Sequence, residues 1–257
     1  MKLYFFQGGT LRSDKGLFTL GASGKFHVPV QYFLIEHDQG LVLFDSGTNI
    51  KIIRDALGTV GQVMFDAYKP DLSEEDFVLN NLKKAGVSPE DIKYVVCSHL
   101  HFDHSGGIGL FPKAKYIVQR QELHYAYVHD PFMKGGYLRD DFDKDIDWLF
   151  LEGWQDNQYD IFRDGRLIIY FTPGHCPGHQ SLLVNLEKDG PMLLAADACY
   201  TIENLDNYLL SGLSCDNSLY IKNLQVMNDL RHRGVTIVAG HDQDTWPNFK
   251  KFPEYYE

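Results

Sequence analysis

The stretch Ser98-His99-Leu100-His101-Phe102-Asp103-His104-Ser105-Gly106-Gly107 packs three histidines and one aspartate into six positions, directly after an apolar run. With only 11 histidines in 257 residues, an H-x-H-x-D-H pattern is a poor candidate for coincidence, and it reads as a metal site. The run Tyr94-Val95-Val96-Cys97 is short, β-branched and ends where the histidines begin. The cluster is therefore expected on a loop at the carboxyl end of a strand. Neutral imidazole nitrogen and carboxylate oxygen suit zinc, iron, manganese or cobalt, and two ions can divide these four side chains between them.

Working outward, three further metal-capable residues also follow apolar runs that read as strands. Leu167 to Phe171 leads into Thr172-Pro173-Gly174-His175, Met192 to Ala196 into Asp197, and Val235 to Ala239 into Gly240-His241. In layered α/β proteins chemistry concentrates at the carboxyl ends of strands, so four strand ends are expected to converge and supply seven ligands, enough for two metals. His179 competes with His175, since both follow Pro-Gly, but His175 is nearer its strand. His27, His37, His124, His129 and His232 lack such settings and read as surface or packing histidines. Asp45-Ser46-Gly47-Thr48 ends another strand with a carboxylate; it reads either as a plain turn or as an acid supporting the metal ligands from behind.

The rest of the chain supplies the frame. Leu3 to Gln7, Val30 to Glu36 and Leu41 to Asp45 open a sheet, the last two joined by His37-Asp38-Gln39-Gly40. Ser73 with Asp76 starts a helix that Gly86 stops, and Ser88-Pro89 starts a short one. Lys115 to Gln119 reads as a strand, Arg120 to Val128 as a helix, Ser181 to Leu186 and Met192 to Ala196 as a hairpin, and Asn217 to Arg233 as a helix closed by Gly234. Between His129 and Asp160 no period emerges, and aromatics crowd a polar background. That length implies either hidden helices or a lid over the site at about residues 125–160.

Composition is permissive. A chain of 257 residues, 44% hydrophobic, can bury one large core, and a single domain over 1–257 is expected. A net charge of −11 disfavours nucleic acid and anionic membrane surfaces. The apolar part of Met1 to Gly9 is too short for a signal peptide, and no stretch approaches the roughly 20 residues of a membrane span, so a cytoplasmic protein is expected. Cys97, Cys176, Cys199 and Cys215 show no C-x-x-C spacing and read as reduced thiols acting as small buried hydrophobes.

Taken together, the histidine loop with its Gly-Gly tail and the ordered later ligands resemble the metallo-β-lactamase superfamily. Within it, Thr172-Pro173-Gly174-His175, Pro177-Gly178-His179-Gln180-Ser181, Asp197-Ala198-Cys199-Tyr200-Thr201 and Gly240-His241-Asp242 resemble the quorum-quenching N-acyl-homoserine lactonases. The resemblance implies an α/β fold, a four-layer αβ/βα sandwich with two mixed sheets and helices outside. It also implies two divalent transition-metal ions, zinc ahead of iron, cobalt or manganese. His99, His101 and His175 would hold one, Asp103, His104 and His241 the other, and Asp197 would bridge both. Two ions carry four positive charges; Asp103, Asp197 and a shared hydroxide nucleophile remove three, which leaves a site that welcomes an oxyanion. Asp103 would then act as the proton shuttle, and Tyr200, three residues past Asp197, as hydrogen-bond donor to the oxyanion or the leaving alkoxide. The substrate implied is a small-molecule lactone, in a monomer or homodimer, with Phe102 packing over the metal loop and Phe132, Met133, Tyr137 and Phe142 receiving an apolar acyl chain.

Rival activities weigh less. A glyoxalase-II-like thioesterase resembles proteins with a long carboxyl-terminal helical region, whereas 16 residues follow His241 here. The best-known β-lactamases carry cysteine in the place of Asp197, and nucleases fit the negative charge badly. A 4-pyridoxolactonase is the nearest rival; its carboxylate-bearing substrate would want an arginine, for which Arg139 is the candidate.

Overall fold

The computed structural model describes all 257 residues. Strands β1 (Lys2–Asp14), β2 (Lys25–His37), β3 (Gly40–Phe44), β4 (Ile92–Val96), β5 (Lys115–Gln119) and β6 (Trp148–Leu151) form one sheet in that spatial order. Its first three strands are antiparallel, and β3 to β6 run parallel. A second sheet holds β7 (Gln158–Asp160), β8 (Leu167–Phe171), β9 (Gln180–Asn185), β10 (Pro191–Ala196) and β11 (Thr236–Ala239), antiparallel except for the β10–β11 pair.

Both faces of each sheet are covered, which is why these strands read as nearly continuous apolar runs. The two-residue period sends alternate side chains to different layers. On β2, Phe33 and Ile35 face the second sheet, while Tyr32 and Leu34 face outward; on β10, Met192 and Leu194 face the first sheet, and Leu193 and Ala195 face outward. The outward face of the first sheet packs on helices Val78–Lys84 and Arg120–Tyr127, and that of the second on helix Asn217–His232. The result is the expected four-layer αβ/βα sandwich. Backbone pairing of Leu3 with Tyr256 ties the carboxyl-terminal tail to β1.

Several boundaries differ from the sequence reading, each for a physical reason. β1 and β2 run well past Gln7 and start well before Val30, because a bulge between Gln7 and Thr10, with Gly9 at φ 88°, lets the pairing resume beyond an interruption that looks like a turn. Helices Ile50–Arg54 and Ala56–Tyr68 were not read from the sequence: the first is little more than one turn, and the second is broken by non-helical Gly61 at φ 77°, although Ala56, Val60, Met64 and Tyr68 pack against the core. The helix expected at Ser73 is a 3₁₀ turn, capped by the Asp76 carboxylate on the Ser73 N–H at 2.6 Å, followed by Val78–Lys84. The aperiodic region holds a 3₁₀ turn at Pro131–Met133, helix Arg139–Phe142, and β6 and β7, the facing edges of the two sheets.

Candidate metal centre

Four strand ends converge on one rim of the sandwich. The loop after β4 carries His99, His101, Asp103 and His104, and the segments after β8, β10 and β11 carry His175, Asp197 and His241. Asp197 sits between two sets of imidazoles. Its Oδ2 lies 3.7 Å from His99 Nε2 and 3.4 Å from His175 Nε2, and its Oδ1 lies 3.2 Å from His104 Nε2 and 3.0 Å from His241 Nε2. Asp103 Oδ2 is 3.7 Å from the Nε2 atoms of both His104 and His241, and His101 Nδ1 is 3.0 Å from His175 Nε2. All seven predicted ligands are thus gathered, the aspartates and histidines all buried.

The far nitrogen of each ring fixes its tautomer. His175 Nδ1 donates to the Leu213 carbonyl and His241 Nδ1 to the Pro29 carbonyl, both at 2.9 Å, and His104 Nδ1 donates to Asp45 Oδ2 at 2.8 Å. His99 Nδ1 is 2.9 Å from Ser98 Oγ, which donates to Asp45 Oδ2 at 2.8 Å. Asp45 therefore supports the ligands from behind. It does so from the left-handed region, φ 57°, a conformation an aspartate tolerates better than most residues.

These bonds leave the Nε2 lone pairs aimed at one another and at Asp197. His99 Nε2, His104 Nε2 and Asp197 Oδ1 are buried without a hydrogen-bond partner, an arrangement that costs free energy unless a cation fills it. Sets of these side chains bring their ligand atoms within 4.8 Å of one another. The donor set of imidazole and carboxylate fits divalent transition metals. Burial disfavours charge on His99 and His101 and holds them well below the usual histidine range. Burial also opposes charge on His104, but Asp197, Asp103 and Asp45 outweigh it and hold that ring well above. Asp197, despite its burial, is kept well below the ordinary carboxylate range by His241, His104, His99 and His175.

A cavity of about 70 Å³ opens onto this cluster. Asp103, Asp197, His101 and His241 form its polar floor, with Tyr200, Phe102, Phe132 and Met133 among its walls. The Tyr200 hydroxyl is 2.9 Å from His175 Nδ1. Phe18, Met64, Tyr68 and Leu213 also line it and were missed, the first three because they lie in segments that offered no motif. Two expected substrate contacts do not reach this cavity. Tyr137 stacks its ring edge-on at 4.5 Å from His101 and turns its hydroxyl to Glu122, and Phe142 is buried in the outer layer against Tyr127 and Tyr137. A gap in pattern could not separate wall from core filler. The Tyr137 backbone approach depends on Gly136, where a Cβ would come within 2.5 Å of the His101 ring.

Glu122 is a further residue that sequence reading passed over, since an acid in a helix ordinarily faces water. It is fully buried and accepts from Leu100 N–H, Gly178 N–H and the Tyr137 hydroxyl at 3.1, 3.3 and 2.9 Å. Burial lifts it to about 7, against the pull of these donors.

The family model described as the metallo-beta-lactamase superfamily matches residues 27–241. The chain belongs to that superfamily. Among its members, an N-acyl homoserine lactonase AttM of Azorhizobium caulinodans is 42% identical over 261 residues, covering 100% of this chain and 99% of the relative. An N-acyl homoserine lactonase of a Bacillus species is 34% identical over 258 residues, with 99% and 98% covered. A solved N-acyl homoserine lactone hydrolase, with the product N-hexanoyl-L-homoserine at its catalytic metal centre, superposes with a TM-score of 0.88 at 30% identity, covering 99% of this chain and 98% of the other. The sandwich and the His/Asp cluster of this chain are those of a metal-dependent member of the superfamily. No helix is long and apolar enough to cross a membrane.

Proposed function

We propose that this protein is a metal-dependent hydrolase that opens the lactone ring of N-acyl-homoserine lactones. The observation that carries the reading is the Asp197-centred cluster facing an apolar-walled cavity, in a chain alike over its whole length to N-acyl homoserine lactonases. His99, His101 and His175 would hold one ion, Asp103, His104 and His241 the other, and Asp197 both. Bound there, two ions per chain, zinc in our reading, would supply Lewis acidity toward the lactone carbonyl and would lower the pKa of water.

The chain's own residues do the rest. Phe102, Phe132 and Met133 offer apolar surface to the acyl chain and keep bulk water from the ester. With His175 Nδ1–H directed at Leu213 O and the Tyr200 oxygen, the Tyr200 proton is free to donate to the carbonyl oxygen as negative charge develops there. Asp103 stands at the cavity floor and can take the proton that the adding water gives up. When the bond between the carbonyl carbon and the ring oxygen breaks, that oxygen receives the proton and leaves as a hydroxyl. The new carboxylic acid ionises and releases one proton per turnover. We treat residues 1–257 as one domain, with residues 131–142 as the cover over His101, in a cytoplasmic setting that suits four unpaired thiols.

The test is a pH-indicator assay of metal-replete protein against homoserine lactones of several acyl lengths, 4-pyridoxolactone and a glutathione thioester. Ring opening of the acylated lactones is expected. Rapid turnover of either other substrate with none of these would move the activity to a neighbouring branch.

A further inference from the structure

His101 is bound differently from the other four ligand histidines. Their far nitrogens reach oxygen: Ser98 Oγ, Asp45 Oδ2, Leu213 O and Pro29 O. His101 is turned the other way, with Nδ1 toward His175 Nε2, so that its Nε2 faces the Cys176 sulfur at 3.7 Å. Behind that sulfur stands the Tyr137 hydroxyl, 3.1 Å away, and behind the hydroxyl Glu122 Oε1 at 2.9 Å. His101, Cys176, Tyr137 and Glu122 are all buried.

The Tyr137 hydroxyl stands between two acceptors, directing its O–H toward Glu122 Oε1 at 2.9 Å and toward the Cys176 sulfur at 3.1 Å. The sulfur lone pairs then face His101 Nε2–H, and the Nδ1 lone pair of His101 is committed to the interior of the cluster. The row ends on a carboxylate that also takes the N–H groups of Leu100 and Gly178, one from each of the two loops carrying His99, His101 and His175.

We propose that this chain, His101 to Cys176 to Tyr137 to Glu122, is a positioning network that sets the affinity of the ion held by His99, His101 and His175. It rests on the ligand assignment proposed above but not on the substrate. Cys176 also lies close enough to His99, His101 and His175 to be considered a ligand itself. The geometry favours the outer role, because the sulfur meets the His101 ring at Nε2, whereas it is Nδ1 that faces His175 Nε2.

Chelator competition on the cobalt(II)- and zinc-loaded protein at pH 8 tests the network. Removing such an outer partner typically weakens metal binding about ten- to a hundredfold, so Cys176→Ala should weaken one of two ions by that factor and leave the other within about threefold. Cys176→Ser, which keeps an acceptor and a donor, should stay within about threefold of wild type at both. Tyr137→Phe keeps the ring on His101 but breaks the row, and should weaken the same ion about fivefold or more, which decides the matter should Cys176→Ala fail to fold. Unchanged affinity in Tyr137→Phe, equal loss in Cys176→Ser and Cys176→Ala, or a near-ultraviolet thiolate band in the cobalt form would overturn the proposal. Metal titration needs no substrate; a protein that opens no lactone yet gives this pattern loses the functional reading alone.

Discussion

Asp45 Oδ2 accepts the Nδ1 proton of His104 at 2.8 Å, and the same carboxylate takes both the N–H and the hydroxyl of Ser98, whose oxygen in turn meets His99 Nδ1. One buried acid therefore orients a ligand in each of the two proposed metal sets. Asp45→Asn should weaken both ions, by about ten- to a hundredfold each, where loss of Cys176 should affect one. Stoichiometric metal analysis after graded chelation checks this; loss confined to one ion would remove Asp45 from its double role.

Asp197 faces both sets at once, so Asp197→Ala should bring metal content from close to two ions per chain to one or fewer. Elemental analysis of reconstituted protein reads the result directly. Wild-type occupancy in the variant would mean that the two ions do not share this carboxylate.

Tyr200 touches His175 through its oxygen, leaving its proton for substrate. Tyr200→Phe should lower kcat by roughly ten- to a thousandfold with metal content unchanged, as the loss of one oxyanion donor does elsewhere. A rise in KM at constant kcat would instead assign the hydroxyl to ground-state binding.

The apolar cavity wall predicts a preference for longer acyl chains, each buried methylene adding about 0.8 kcal/mol at most. Phe132, exposed at the mouth, is the residue to shorten: Phe132→Ala should flatten the rise of kcat/KM with chain length while sparing the shortest substrate. An unaltered slope would send the acyl chain elsewhere.

His37 offers a pH test remote from the metals. Burial, with Arg166 nearby, holds this ring below the usual histidine range and outweighs Asp164. The unfolded chain then binds more protons than the folded one between the depressed value and about 6.5, so stability falls as pH drops through that window. Thermal melts of wild type and His37→Asn from pH 8 to 5 should diverge below about 6.5, wild type losing more; parallel curves would show the ring titrating normally.

Much of this architecture was legible because function and folding used the same signal. The seven metal-capable residues follow apolar runs, and an apolar run bounded by glycine or proline is what a doubly covered strand looks like in sequence. Tyr200 came to notice through the family resemblance, and it lines the cavity. Glu122 and Cys176 were not legible, because what gives them meaning is contact across the fold: an acid on a helix and a cysteine beside a histidine look ordinary until Tyr137 is brought between them. Helix Ala56–Tyr68 supplies Met64 and Tyr68 to the cavity, but its glycines, with Gly61 out of helical conformation, hid the apolar face it lays on the core. Tyr137 and Phe142 show the converse error, aromatics credited to substrate that pack against protein.

The ligands are drawn from both sheets: His99, His101, Asp103 and His104 follow β4 in the first, and His175, Asp197 and His241 follow strands of the second. Elsewhere the sheets adhere through hydrocarbon, but along this rim they meet as imidazoles and carboxylates, several of whose buried atoms lack a hydrogen-bond partner. Metal loading should therefore also act as a clasp between the two sheets along this rim. Stripped of metal, the molecule should breathe first at the carboxyl ends of β4, β8, β10 and β11, with amide exchange quickening there while the opposite edge stays shut.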